Sequence, residues 1–186
     1  MGDTREARAI ARLPALDPLL GYLPPSPVPY NVTLSDVHDL FVARAPYRER
    51  REVLFAALSI YSTLVWEEIP QAKIWIDGGF ATHKAWGAPD DVDVVVVAEN
   101  VGVLTKGKMA AKGLFTMSDV TAKIGQKRLP EIEKISPFGG LIDAYFATSL
   151  SSELIKRQLT QVRGPDGDII PGIRKGIMEV RRGIEP

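Results

Sequence analysis

The chain has no cysteine, which excludes disulfides, zinc–thiolate sites, iron–sulfur clusters and cysteine nucleophiles. No apolar run reaches the roughly 18 residues that suggest a membrane span. The opening MGDTREARAIARLPAL interleaves arginines with acids and alanines, so it lacks the apolar core of a secretion signal. Glu6 stands where a myristoylation signal has Ser or Thr, so no lipid anchor is expected. There is no excess of either charge, with 23 basic and 23 acidic residues, which argues against general affinity for nucleic acid. These absences together predict a cytoplasmic protein that makes no membrane contact.

What is present is ordinary globular material: 186 residues, 45% hydrophobic and 25% charged, enough for one domain with a real core. Residues 1–32, with Pro24, Pro25, Pro27 and Pro29, read as an extended proline-rich lead-in, and residues 33–186 as a single domain. Thr33-Leu34-Ser35-Asp36 has a capping-box pattern and predicts a short helix to about Arg44. Pro46 then introduces a long helix over Tyr47–Glu68, with Leu54, Ala57, Leu58, Tyr61 and Val65 at helical spacing and Pro70 as its stop. Strands are expected at Lys73–Asp77 and Asp91–Ala98, the second so rich in valine that both its faces should be buried, and a third central strand at Leu141–Thr148. Between them, short helices are expected over Phe80–Trp86 and Ser118–Lys127, with 99–117 as loop. Ser149 or Ser151 should cap a helix to about Gln158, and Gly164–Asp168 should turn a C-terminal β-hairpin.

The chemistry concentrates in IWIDGGFATHKAWGAPDDVDVVVV and in GGLIDAYFAT. Side chains alternate along a strand, so Asp91 and Asp93 share one face, with α-carbons about 7 Å apart, close enough to reach one divalent ion. Magnesium takes hard oxygen ligands and typically keeps positions for water and substrate phosphates. Asp143 on a neighbouring strand is placed to serve a second ion or to deprotonate an attacking hydroxyl. A buried salt bridge explains Asp143 as well. Gly78 and Gly79 let a phosphate approach the main chain, helped by amides at the start of the expected Phe80–Trp86 helix. Residues 105–135 carry seven basic residues against three acids, and Lys106, Lys123 and Lys127 are candidates to neutralise a triphosphate. Lys84 is a candidate phosphate contact, and Trp86 a candidate for stacking on a base. Asp77 and Asp90 read as turn or capping residues, Asp77 near enough to support the metal ligands; His83, like Lys84, lies in the expected helix facing the site, and His38 reads as a surface or packing residue.

Gly78, Gly79, Asp91, Val92, Asp93 and Val94 match in order and spacing a signature of the nucleotidyltransferase superfamily that shares the DNA polymerase beta fold. Ile76 falls one residue early, because Asp77 precedes Gly78. The chain more widely resembles a group of small bacterial and phage proteins carrying this core, through LPPSPVPYNVTLSD, LIDAYFAT and KGIMEV, over roughly residues 23–182. Gly79 stands where that group more often has Ser. The resemblance implies an α+β fold with a central mixed β-sheet flanked by helices. It implies Asp91, Asp93 and Asp143 as catalytic, metal-holding carboxylates for Mg2+ or Mn2+, and Gly78, Gly79 and Lys84 at a nucleoside triphosphate. The reaction implied is transfer of a nucleoside monophosphate to a hydroxyl on RNA, protein or a small molecule. The other reading is a non-catalytic nucleotide-binding, antitoxin-like or phage accessory protein keeping the fold. Because no acceptor-binding domain is evident, a protein partner or a second copy of the chain is also expected.

Overall fold

Five strands form the central sheet in a computed structural model that describes residues 13–183. In chain order the strands are β1 (Tyr30–Asn31), β2 (Lys73–Asp77), β3 (Val92–Val97), β4 (Met117–Val120), β5 (Lys123–Ile124), β6 (Lys127–Arg128), β7 (Ile132–Ile135), β8 (Ile142–Ala147), β9 (Gln161–Arg163), β10 (Ile169–Arg174) and β11 (Met178–Arg181). The sheet runs β1-β11-β2-β3-β8, with β1–β11 and β3–β8 parallel and the two pairings between them antiparallel. The architecture is therefore α+β with a central mixed sheet flanked by helices. The main helices are α1 (Leu34–His38, continued by a π-helical turn Asp39–Ala43), α2 (Arg48–Glu68), α3 (Val103–Ala111) and α4 (Ser149–Leu159), with a four-residue turn at Pro137–Gly140 before β8.

The valine run in β3 serves two cores. Val92, Val94 and Val96 join Ile74, Ile76, Ile142 and Ala144 against Leu54, Leu58, Tyr61 and Val65 of α2. Val95 and Val97 lie on the other face with Trp75, Ala147 and Ile177, covered by Ile155 and Leu159 of α4. Strands with apolar residues on both faces give the near-continuous pattern seen in the sequence. The lead-in is tied to the sheet: β1 pairs with β11, and Leu23 and Val32 are buried in the larger core. Thr33 caps α1, with Asp36 N–H donating to Thr33 Oγ1 at 3.0 Å and Thr33 N–H to Asp36 Oδ2 at 2.8 Å. At α4 the N-cap is Thr148, and Ser151 is the third helical residue, whose Oγ accepts from Thr148 N–H at 3.0 Å.

Three expectations are corrected. Phe80–Trp86 is a run of turns, not a helix. The carbonyls of Phe80 and Thr82, which helical amides would need, instead accept from the Arg51 guanidinium at 2.6 Å each. Ser118–Lys127 is not a helix either, and the helix of this region lies earlier, over Val103–Ala111. Asp119 and Gly125 take left-handed backbone, at φ +53° and +59°, and the segment folds as a ribbon in which β4 pairs with β7 and β5 with β6. Ile124-Gly125-Gln126-Lys127 is a hairpin turn, for which glycine supplies the positive φ. Finally, β8 is an edge strand, not a central one.

Candidate active site

Three carboxylates stand in one row across three adjacent strands. Asp77 is the register partner of Asp93, and Asp93 of Asp143, so all three side chains leave the same face of the sheet. Asp77 and Asp143 are 2% and 7% exposed. Asp91, two residues before Asp93, enters the same face from the turn that precedes β3. That turn is pinned from α2: Arg50 Nε donates to Pro89 O at 3.2 Å, and its Nη2 to Asp90 O. Gly78 follows Asp77 at φ +76°, and a β-carbon there would lie 1.6 Å from Asp93 Oδ2. The glycine is thus required twice, by its backbone and by the carboxylate that leans over it.

Two lysines neutralise the ends of the row. Lys175 Nζ lies 3.1 Å from Asp77 Oδ1, at angles outside those of a hydrogen bond, and donates to Gly78 O at 3.0 Å. Lys134, on β7, donates to Asp143 Oδ2 at 2.7 Å. Asp143 also accepts from Thr116 Oγ1 at 2.7 Å and from Tyr145 Oη at 3.1 Å. Burial, opposed by Lys175 and helped by the charge of Asp93, pushes the Asp77 carboxyl up to about 6. Burial and the negative charges of Asp93 and Asp143 likewise push Asp91 up to about 6. Asp93 is raised too, chiefly by burial, with Asp143 adding to it and Lys175 opposing. The bond to Asp143 raises Lys134.

A cavity of about 910 Å³ opens beside the row, lined by Asp77, Asp93, Gly78, Gly79, Lys84, Trp86 and Lys175, with the β9–β10 turn as its far wall. Asp91 and Asp143 are not part of its lining, but Tyr145, bonded to Asp143, is. Among the described residues no three acids or histidines close into a ready-made metal cage. The donor set nonetheless suits a hard divalent cation: crowded carboxylates that repel one another, and a buried Asp77 Oδ1 that faces Lys175 but has no hydrogen bond among the described residues.

Residues 14–181 match the protein family described as Family of unknown function (DUF6932). The chain belongs to this family. The match spans every strand of the central sheet and both lysines of the row. No curated protein and no solved structure matches the chain.

In this DUF6932 chain, Asp91, Asp93, Asp143, Gly78 and Gly79 come together, and Lys84 joins them through its Nζ, which lies 3.0 Å from where a Gly79 β-carbon would be. Trp86 is 40% exposed at the cavity wall. His83 is a packing residue that donates to Leu40 O at 2.7 Å, and His38 pairs with Glu52 at 3.2 Å. Lys106 is elsewhere, over the Phe146 ring at 4.5 Å, and Lys123 and Lys127 sit in the exposed ribbon. Sequence reasoning placed Asp77 near the site as a turn or supporting residue but not as a member of the row, although the two-residue alternation through Trp75 to Asp77 carries that signal. It also missed Lys134, Lys175 and Arg51. Nothing local marks the two lysines, which reach the acids through pairings distant in sequence.

Proposed function

We propose that this protein is a metal-dependent nucleotidyltransferase that moves a nucleoside monophosphate from a nucleoside triphosphate to a hydroxyl acceptor and releases pyrophosphate. The observation that carries the proposal is the row Asp77–Asp93–Asp143, buried at both ends and joined by Asp91, beside a cavity within the 300–1,000 Å³ range typical of ligand sites. The polymerase beta-like fold is part of the same proposal. It is supported by the glycine turn between antiparallel β2 and β3 and by the third acid on a strand parallel to β3.

Asp91, Asp93 and Asp143 would hold magnesium or manganese, which supplies charge neutralisation at the phosphates and a lowered pKa for the attacking hydroxyl. Gly78 and Gly79 present the phosphates with main chain rather than side chains. Thr116 and Tyr145 fix the plane of the Asp143 carboxylate, whose Oδ2 takes the acceptor proton once Lys134 is displaced. The acceptor oxygen then bonds to the α-phosphorus while the bond from that phosphorus to the bridging oxygen breaks, its electron pair leaving with pyrophosphate. Positioning and charge dominate such a displacement, so no covalent nucleophile is needed. Calorimetry tests the site: a non-hydrolysable triphosphate binds wild type only with Mg2+, and Asp91→Ala/Asp93→Ala does not bind it. Equal, metal-independent binding by both overturns the assignment.

Lys134 favours a second reading. Its ammonium, 2.7 Å from Asp143, supplies the charge a metal would supply, as suits a non-catalytic nucleotide-binding or antitoxin-like accessory protein. Nucleotide binding without any label transfer, in extract or alone, selects this reading.

A further inference from the structure

Because Phe80–Trp86 is not helical, it supplies no helix N-terminus to the cavity wall. A polyphosphate beside four carboxylates needs positive charge from elsewhere. Lys175 is 4% exposed, in the link between β10 and β11, and it lines the cavity. Its main chain is fixed on both sides, with Lys175 N–H donating to Thr160 O at 2.9 Å and Gly176 N–H to Leu23 O at 2.7 Å. The ammonium has three donors. One goes to Gly78 O, one faces Asp77 Oδ1, and the third has no partner among the described residues. Lys84 Nζ stands against Gly79. One ammonium therefore borders each glycine of the pair.

We propose that Lys175 and Lys84 form a two-lysine clamp for a polyphosphate, the terminal phosphates of a nucleoside triphosphate or the pyrophosphate it releases. The proposal rests on the cavity being the nucleotide site. Asp77 keeps Lys175 paired while the clamp is empty, and the missing β-carbons at positions 78 and 79 keep the main chain low between the two cations. The rival role for Lys175 is structural only, as counter-ion to Asp77.

Inorganic tripolyphosphate with Mg2+, titrated calorimetrically into the full chain, separates the two roles. D77N/K175M removes both members of the pair, so neither charge is left buried alone. Loss of a charge-assisted contact should weaken tripolyphosphate binding at least about tenfold in the folded double variant, and about threefold or more in K84M. A folded D77N/K175M that binds like wild type overturns the role of Lys175. Should the double variant not fold, K84M decides, and unchanged affinity there overturns the clamp. Wild type that binds no tripolyphosphate overturns it as well. Nucleotidyl transfer that is indifferent to both variants removes the clamp and leaves the function. Lysine-dependent tripolyphosphate binding without transfer removes the function and leaves the clamp.

Discussion

Gly78 leaves the space that the Asp93 carboxylate occupies: a β-carbon on Gly78 would stand 1.6 Å from Asp93 Oδ2. Gly78→Ala therefore has to move the carboxylate and also adopt φ +76°, a left-handed conformation costing roughly 1–2 kcal/mol for a residue with a β-carbon. A displacement of about 1 Å at a reacting centre is expected to lower transfer roughly a hundredfold. At Gly79 the new β-carbon meets only the flexible end of Lys84, at 3.0 Å. Gly79→Ala should therefore be much milder. Transfer rates of the two alanine variants, with melting temperatures alongside, check this order.

Arg51 predicts a stability effect. It is fully buried, has no carboxylate partner among the described residues and donates to four carbonyls, of Phe41, Pro46, Phe80 and Thr82, at 2.6–2.9 Å. Burial lowers its pKa to about 10, still well above neutrality, so it stays charged. Arg51→Met strands those carbonyls and should cost about 3 kcal/mol, or roughly 6–12 °C in Tm for a chain of this size. A thermal melt that moves by less than about 2 °C contradicts the role given to Arg51.

The parts of the fold legible in the sequence were those set by local period and local stops. The α2 stripe, the β2 strand stopped by Gly78 after Asp77 and the valine run of β3 each follow from neighbours within one element. The turns at 80–86 were not legible, because the groups that replace helical hydrogen bonds come from Arg51, distant along the chain. The 117–135 ribbon was missed because polar residues at loosely helical spacing outweighed the Ile124-Gly125 turn signal. In the site, Asp91 and Asp93 were visible as a same-face pair. The row that includes Asp77 appears only once β2, β3 and β8 are in register.

Asp91 predicts a pH dependence of stability without metal. Its folded pKa, about 6, lies above the ordinary value of 3.8. The folded protein then binds the proton more tightly than the unfolded chain, so this group favours folding at low pH, and that contribution is lost as pH rises from about 4 through about 6. Asp91→Asn should stabilise the metal-free protein above pH 6, by about 1 kcal/mol after allowing for its half-exposed position, and hardly at all near pH 4. Urea unfolding of both proteins across this range reads the difference, and a variant that is less stable than wild type at pH 7.5 contradicts it.

Lys134 and a divalent ion compete for the same Asp143 carboxylate, since Nζ is 2.7 Å from Oδ2. Lys134→Met should therefore tighten Mn2+ binding by up to about fivefold, the scale of one partly exposed ion pair. Calorimetric titration with Mn2+ alone measures it, and weaker Mn2+ binding in the variant contradicts the competition.

The central claim, nucleotidyl rather than phosphoryl transfer from this row of acids, is tested most directly by incubating the protein with Mg2+, cell extract and ATP, GTP, CTP or UTP labelled at either the α- or the γ-phosphate. Relative to extract alone, at least one α-label should become attached to an acceptor, no γ-label should, and the added transfer should be abolished in Asp91→Ala/Asp93→Ala. Attachment of γ-label above that of extract alone, or added α-transfer that survives the double substitution, contradicts nucleotidyl transfer by these acids.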